Sequence, residues 1–201
     1  MILPCWNERE ANEADMKFGN VPKSKWNVTL DKIRDKPYCK TVETYMEHLK
    51  DNCERGRGML LYGTYRSGKS SIGAIILREV ARHRCRPYFL EAFELVDGWF
   101  AKDHRYDMTR GCHLLVLDDM GMEAEDPAQS VRRSIIKQAI RFRLERERAI
   151  IITTNMSPKQ LRETYGDKLM ALLSEFLIPL QIDGMSWSKE VWNVPQCGTG
   201  A

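Results

Sequence analysis

The chain has 201 residues, of which 43% are hydrophobic and 29% are charged, and its net charge at pH 7 is +3. This length and balance indicate one globular domain with a full core, and they exclude a disordered chain. A membrane-spanning chain is also excluded, because no stretch approaches the roughly 18 consecutive apolar residues of a crossing helix. The mild positive charge permits contact with nucleic acid without requiring it.

Apolar runs alternate with helical patterns along most of the chain. Residues 1–24 have no clear period, so we expect a flexible extension there, followed by a domain at 25–190 and a tail at 191–201. Apolar spacing of three to four residues predicts helices at 41–54, 69–82, 91–101, 128–147, 157–164 and 167–175. Continuous apolar runs predict strands at 58–62, 87–90, 114–117, 149–153 and 178–182.

The order of these elements predicts the fold class. Strands that are apolar on both faces and separated by helices are typical of a parallel sheet covered on both sides. We therefore expect an α/β fold in three layers, with a parallel five-stranded sheet between helices. Sheets of this kind bind ligands at the carboxyl ends of their strands.

The segment Gly63–Ser70 reads G-x-x-x-x-G-K-S and lies between a predicted strand and a predicted helix. Its glycines allow the tight turn that brings backbone N–H groups together around phosphate oxygens. Lys69 is expected to reach the β- and γ-phosphates of a nucleotide, and the Ser70 hydroxyl to bind magnesium. The predicted phosphate-binding residues are Gly63, Thr64, Tyr65, Arg66, Ser67, Gly68, Lys69, Ser70 and Ser71.

Two further predicted strands end in polar residues. Asp118 follows the strand at 114–117 and is expected to hold magnesium beside Ser70, and Asp119 is expected to orient and activate the attacking water. Asn155 follows the strand at 149–153, where its amide is expected to lie near the γ-phosphate. The predicted catalytic residues are Lys69, Asp119 and Asn155, the metal ligands are Ser70 and Asp118, and the cofactors are ATP and Mg²⁺.

Together these three motifs resemble the AAA+ ATPases, and within them the DnaC/DnaI/IstB-like helicase-loader family, over roughly residues 21–189. The segments that carry the resemblance are Val21–Lys23, Thr29–Asp31, Gly58–Ser70, Leu114–Gly121, Ile151–Ser157, Gly166–Leu169 and Trp187–Lys189. The resemblance implies the AAA+ type of P-loop NTPase fold, ATP hydrolysis with magnesium, and self-assembly through the ATP site. It also implies single-stranded DNA binding and service to a replicative helicase as a loader, or to a transposase as an IstB-like helper.

Two departures from the family pattern keep alternatives open. The family usually has an arginine that reaches a neighbouring subunit's γ-phosphate, and by our register that position is Leu172. Loaders also usually carry a separate helicase-binding domain, which about twenty unpatterned residues cannot form. A nucleotide-gated adaptor with little or no hydrolysis is therefore an alternative. A P-loop small-molecule kinase is disfavoured, because no arginine-rich lid follows the strand at 149–153.

Two segments are candidates for DNA contact. On the predicted helix 128–147, Arg133, Lys137 and Arg141 form a row without an interleaved acid, which suits a phosphate backbone. The same row is equally consistent with a solvated helix face. The second segment contains Lys102 and Arg105, and its neighbourhood offers aromatic residues for base stacking. These are Trp99 and Tyr106, of which Trp99 fits a core position better. The stripe that we expect to be buried on the helix comprises Ala128, Val131, Ile135, Ala139 and Phe142.

The cysteines and the amino terminus bear on the compartment. The chain has six cysteines and no C-x-x-C pair, so their spacing favours neither a zinc site nor a redox motif. The first residues lack the basic-then-apolar pattern of a signal peptide. For a nucleotide-using protein we therefore expect a cytoplasmic location with reduced thiols.

Overall fold

The structure, a computed structural model, describes residues 10–121 and 129–183. Within these ranges a sheet of five parallel strands runs in the order β2-β3-β4-β1-β5. Its strands are β1 (Gly58–Tyr62), β2 (Pro87–Glu91), β3 (Leu114–Met120), β4 (Ile150–Thr154) and β5 (Leu177–Gln181). The predicted α/β class and the parallel five-stranded sheet are confirmed.

Helices cover both faces of this sheet. They are α1 (Glu13–Phe18), α2 (Cys39–Glu47), α3 (Leu49–Glu54), α4 (Lys69–Arg82), α5 (Ala92–Ala101), α6 (His104–Gly111), α7 (Gln129–Leu144), α8 (Pro158–Tyr165) and α9 (Asp167–Phe176). Helices α1 to α4 share one core with one face of the sheet, and α5, α7, α8 and α9 share the other. Successive strand residues alternate between the two cores, as in Ile150, Ile151 and Ile152. None of these helices combines the length and apolar character of a membrane crossing.

Three helical predictions need correction. The predicted helix at 41–54 is divided at His48 into α2 and α3. Helix α6 was not predicted, because its sequence is polar; the Asp103 side chain caps its first turn by accepting the Arg105 N–H at 2.9 Å. On α7 the buried stripe is wider than expected and includes Ile136, Ile140, Arg143 and Leu144.

The stripe that the sequence predicts for this helix is therefore only partly right. Ile135 and Ala139 are buried, whereas Val131 is 45% exposed and Phe142 is half-buried. Ala128 lies outside the described residues. The helix turns toward α5, α9 and the sheet, so its inner face is centred on Ile136 and Ile140.

Residues 10–24 belong to the folded body, contrary to the expected flexible extension. Met16 of α1 is buried against the core that α4 shares. The backbone N–H of Phe89 in β2 donates to Gly19 O at 2.7 Å. Residues 1–9 and the expected tail at 191–201 lie outside the described part.

Candidate nucleotide-binding site

The phosphate-loop motif connects β1 to α4 at the carboxyl edge of the sheet. Gly63 has φ +139°, and a Cβ there would lie 2.3 Å from Ile182 O. Gly68 has φ +100° and is the N-cap residue of α4. Both positions therefore require glycine. The loop lies over the amino terminus of a 14-residue helix, whose unpaired N–H groups and dipole attract anions.

Hydrogen bonds to the loop and to Asn155 fix the position of the Lys69 side chain. Its side chain is almost fully buried, and its Nζ donates to Thr64 O at 2.6 Å, Asn155 Oδ1 at 2.8 Å and Gly63 O at 3.1 Å. Burial lowers the pKa of the Lys69 ammonium, and the charges of Asp119 and Asp118 oppose that shift. Among the described residues no carboxylate forms a salt bridge with it, so its hydrogen-bonded acceptors are neutral. A buried cation with neutral acceptors favours an anion beside it.

Asp118 and Asp119 are organised by one hydroxyl of the neighbouring strand. Thr153 Oγ1 donates to Asp118 Oδ1 at 2.6 Å and accepts the backbone N–H of Asp119 at 3.0 Å. Asp119 has φ +52°, at a shift in the β3–β4 register that follows Leu117. The sequence identifies Thr153 only as part of the motif at the end of its strand. Its bridging role was not predicted, because that role depends on the pairing of β3 with β4.

Ser70 and Asp118 meet as the sequence predicts for a shared cation. Both residues line the same cleft, and Asp118 is 4% exposed. Burial raises the pKa of the Asp118 carboxyl and the Asp119 charge raises it further, whereas the Thr153 hydrogen bond and the Ser70 side chain oppose the rise. A hydroxyl beside a carboxylate fits magnesium, which takes oxygen ligands and keeps most of its positions for water and phosphate. In the described residues no group of three acids, histidines or cysteines forms a separate metal cluster.

The cleft above the loop contains two charged residues that sequence reasoning missed. Glu91 ends β2 and Lys25 lies on a 3₁₀ turn, and both line the cleft with Lys69, Asp118 and Asp119. The pKa of Glu91 is raised by burial and then by Glu94, Asp118 and Asp119, while Lys25 lowers it. Glu91 could have been predicted from the sequence, because it too ends a strand at this edge. Lys25 could not, because it lies in a segment without periodicity.

The residues that the sequence predicts for DNA contact are partly paired with acids or half-buried in the structure. Arg105 forms two bonds with Asp103, at 2.9 and 2.6 Å, while Lys102 is exposed. On α7, Arg133 and Lys137 are half-buried, and Arg141 is 2.9 Å from Glu145. No acid lies between Arg133 and Arg141, but Glu145, one turn beyond the row, offsets the charge of Arg141.

Position 172, which the family register assigns to an arginine, carries a side chain of a different kind. Leu172 is half-buried and packs against the core beneath α9. It supplies neither charge nor hydrogen-bond donors to a neighbouring site. The predicted phosphate, metal and catalytic residues lie together at one edge of the sheet, and their roles stay predictions.

A parallel sheet with a phosphate loop after β1, acids near the carboxyl end of β3 and an amide after β4 defines the AAA+ type of P-loop NTPase fold. No family model matches the chain. A curated relative, the replicative helicase loader DnaI of Bacillus subtilis (strain 168), is 26% identical over 148 residues, which cover 65% of this chain and 47% of that protein. The chain thus spans about half the length of the curated relative that it matches.

Solved structures show the same fold. The DnaC helicase loader superposes with a TM-score of 0.69 and 22% identity, covering 81% of this chain and all of that chain. The replication initiator DnaA bound to AMPPCP and single-stranded DNA superposes with a TM-score of 0.61 and 16% identity, covering 78% of this chain and 50% of that one. The resemblance to DnaC/DnaI-like helicase loaders is confirmed, and its IstB-like part stays a prediction.

Asp118→Asn is expected to stabilise the ligand-free protein at pH 7 while removing magnesium-dependent ATP binding. The folded-state pKa of Asp118 lies above the ordinary 3.8. The stability that the protonated carboxyl contributes is therefore fully present below the unfolded-state pKa and is lost as pH rises through the folded-state pKa. The neutral amide avoids that loss. Melting curves from about pH 4 to pH 8 should show the two proteins diverging as pH rises.

The matched control for this comparison is Asp107→Asn, on the exposed face of α6. It removes the same formal charge without touching the cleft and should leave the curve nearly unchanged. A melting temperature of Asp118→Asn below that of the wild-type protein at pH 7 would contradict the prediction.

Proposed function

We propose that the protein binds ATP with magnesium and acts on the DNA replication machinery as a helicase-loader-like AAA+ ATPase. The observation that carries the proposal is the buried Lys69 ammonium with its neutral acceptors, in one cleft with Ser70 and the buried Asp118 carboxyl. An anion and a hard cation fit side by side there, as they do in a magnesium–nucleotide complex.

Each residue at this edge has a distinct part in the proposed chemistry. The loop N–H groups and Lys69 bind the phosphates, and Ser70 with Asp118 holds the magnesium ion, which when bound neutralises charge on the phosphate oxygens. Asp119 orients the attacking water and accepts its proton. Asn155 already contacts Lys69 at 2.8 Å, so its amide is positioned to respond to the γ-phosphate.

The partners follow from the relatives and are proposals. DnaI is a replicative helicase loader by name, and the DnaA structure contains single-stranded DNA. We accordingly propose single-stranded DNA and a replicative helicase as partners, and a homo-oligomer that forms on ATP or DNA. A transposase partner remains the IstB-like alternative.

Leu172 favours one second candidate, a nucleotide-gated adaptor that hydrolyses ATP slowly or not at all. An arginine supplied by a neighbour contributes a large share of phosphoryl-transfer rate. A leucine packed on the core cannot do this. The kinase alternative lacks a comparable observation.

Steady-state ATP hydrolysis measured against protein concentration, with and without single-stranded DNA and the helicase, separates these candidates. Specific activity that rises with concentration or DNA supports an assembling ATPase. Tight ATP binding with negligible turnover under all these conditions supports the adaptor. Absence of ATP binding would contradict the proposal as a whole, because it removes the nucleotide from both candidates.

Lys137→Glu with Arg141→Glu is expected to weaken binding of single-stranded DNA several-fold while ATP affinity is retained. The substitutions reverse two charges on α7, although the Glu145 partner of Arg141 already offsets part of that field. Fluorescence anisotropy of a labelled oligothymidylate at several salt concentrations measures the effect. An unchanged affinity and salt dependence would remove this helix face from the proposal.

A further inference from the structure

The four strands β2, β3, β4 and β1 are neighbours, and the segment before each contributes an arginine at the amino edge of the sheet. We call this the strand-entry edge and define it by Arg57, Arg86, Arg110, Arg146 and Arg148. Arg57 and Arg86 directly precede β1 and β2, Arg110 lies in the last turn of α6 ahead of β3, and the last two precede β4. The nucleotide site lies at the opposite, carboxyl edge.

Direct contacts join these entry segments into one surface. Arg86 N donates to His113 Nδ1 at 2.8 Å, which ties the entries of β2 and β3 together. The guanidinium of Arg148 donates to Arg110 O at 2.7 Å, which ties β3 to β4. The β1 and β4 entries are so close that a Cβ on Gly56 would lie 2.5 Å from Glu147 Cα.

Like charges are concentrated on this edge. The guanidinium carbons of Arg110 and Arg146 lie 4.3 and 4.1 Å from the centroid of one ring, that of Phe142. In the described ranges no carboxylate forms a salt bridge with any of the five arginines. The pKa of His113 is lowered first by burial and then by the nearby charges of Arg86, Arg148 and the buried Arg143.

Several acids lie near the edge and are partly engaged by other groups; Asp51, which lines a cavity with Arg57, bonds Arg55 at 2.6 Å. Glu145 pairs with Arg141 at 2.9 Å, and Asp15, beside Arg86, accepts the Asn12 N–H at 2.9 Å. Glu147 is exposed within the β4 entry. Uncompensated guanidinium groups repel one another, so an anion that bridges them gains the attraction that the fold does not supply.

We propose that the strand-entry edge binds the phosphate backbone of nucleic acid. Every cation in it is an arginine, whose planar fork pairs with phosphate oxygens in two hydrogen bonds. Strand spacing of about 4.8 Å makes the edge about 14 Å long, enough for roughly three phosphates of one strand. The inference rests on the proposed binding of single-stranded DNA and locates it on a surface away from the nucleotide.

The test is the salt dependence of oligothymidylate binding by Arg86→Gln with Arg146→Gln. Both side chains are exposed and neither forms a hydrogen bond or salt bridge that holds the fold in the described residues. We expect affinity to fall about tenfold at low salt and the slope of log affinity against log salt to decrease by about 1.4, since each lost phosphate contact removes about 0.7. Melting temperature and ATP affinity should not change.

A matched control removes the same charge elsewhere. Lys159→Gln with Arg162→Gln lies on α8, which follows β4 at the carboxyl side, and it should change neither affinity nor slope. If the edge variant keeps wild-type affinity and slope, the inference is overturned while the proposed function stands. If the wild-type protein binds no oligothymidylate, single-stranded DNA binding itself is refuted. If polyglutamate competes as strongly as oligothymidylate, the edge recognises acidic protein and the nucleic-acid assignment fails.

Discussion

Asp119→Asn is expected to bind ATP and magnesium like the wild-type protein and to hydrolyse ATP at least about a hundredfold more slowly. The amide keeps the size of the carboxylate but cannot accept a proton from water. Asparagine also tolerates the left-handed backbone at this position, where φ is +52°, so the local fold should be preserved. Single-turnover hydrolysis and equilibrium ATP binding, measured on the same preparations, give the two quantities.

Two companion variants make this result interpretable. Lys69→Ala should lose ATP binding itself, because it removes the buried ammonium under the loop. Glu91→Gln tests the other acid in the cleft. Wild-type turnover in Asp119→Asn together with a loss in Glu91→Gln would transfer water activation from the end of β3 to the end of β2.

Arg143→Met is expected to lower the free energy of unfolding by about 3–5 kcal/mol, the largest stability effect that we expect of a single substitution here. The Arg143 guanidinium is fully buried, has no acid partner among the described residues, and donates to backbone carbonyls on three segments. These include Thr109 O at 2.5 Å and Ala149 O at 2.7 Å, with longer bonds to Cys112 O and His113 O. Methionine fills the space but leaves these acceptors unpaired.

Chemical denaturation of Arg143→Met and Arg141→Met measures this effect against a control on the same helix. Arg141 is exposed and paired with Glu145, so its loss should cost about 1 kcal/mol or less. Arg143→Lys should fall between the two, because a lysine keeps the charge but has fewer donors. A loss below about 1 kcal/mol in Arg143→Met would show that the carbonyls find other partners.

Local motifs carried most of what the sequence predicted correctly. Strand bounds agree within a few residues, because continuous apolar runs reflect burial on both faces. The phosphate loop, Asp118 and Asn155 come together because each lies at or just beyond the carboxyl end of a parallel strand at the same edge. Such relations need only the order of the elements and the direction of the strands.

Other features depend on contacts between distant segments. Arg143 looks like any charged residue of a basic helix until α7 meets the entries of β3 and β4. The role of Thr153 requires a register shift that no pattern indicates. Asp103 is a local signal for the start of α6, but the sequence that follows it is too polar to show a helical apolar pattern, so the helix was not predicted. Residues 10–24 lacked a period because the short α1 buries only Met16, while the other buried residues, Gly19 and Val21, lie outside the helix.

The Thr153 hydroxyl has one proton, and that proton is committed to Asp118, while its lone pair receives the Asp119 N–H. The two acids therefore share a single adjustable atom on another strand. An ion that draws Asp118 Oδ1 away would also alter the hydrogen bond to the Asp119 peptide, so the proposed metal site and the proposed water-orienting acid are coupled through Thr153. For mutation and selection we expect a constraint: a change at residue 153 would alter both proposed roles at once, and neither could be tuned alone by that route.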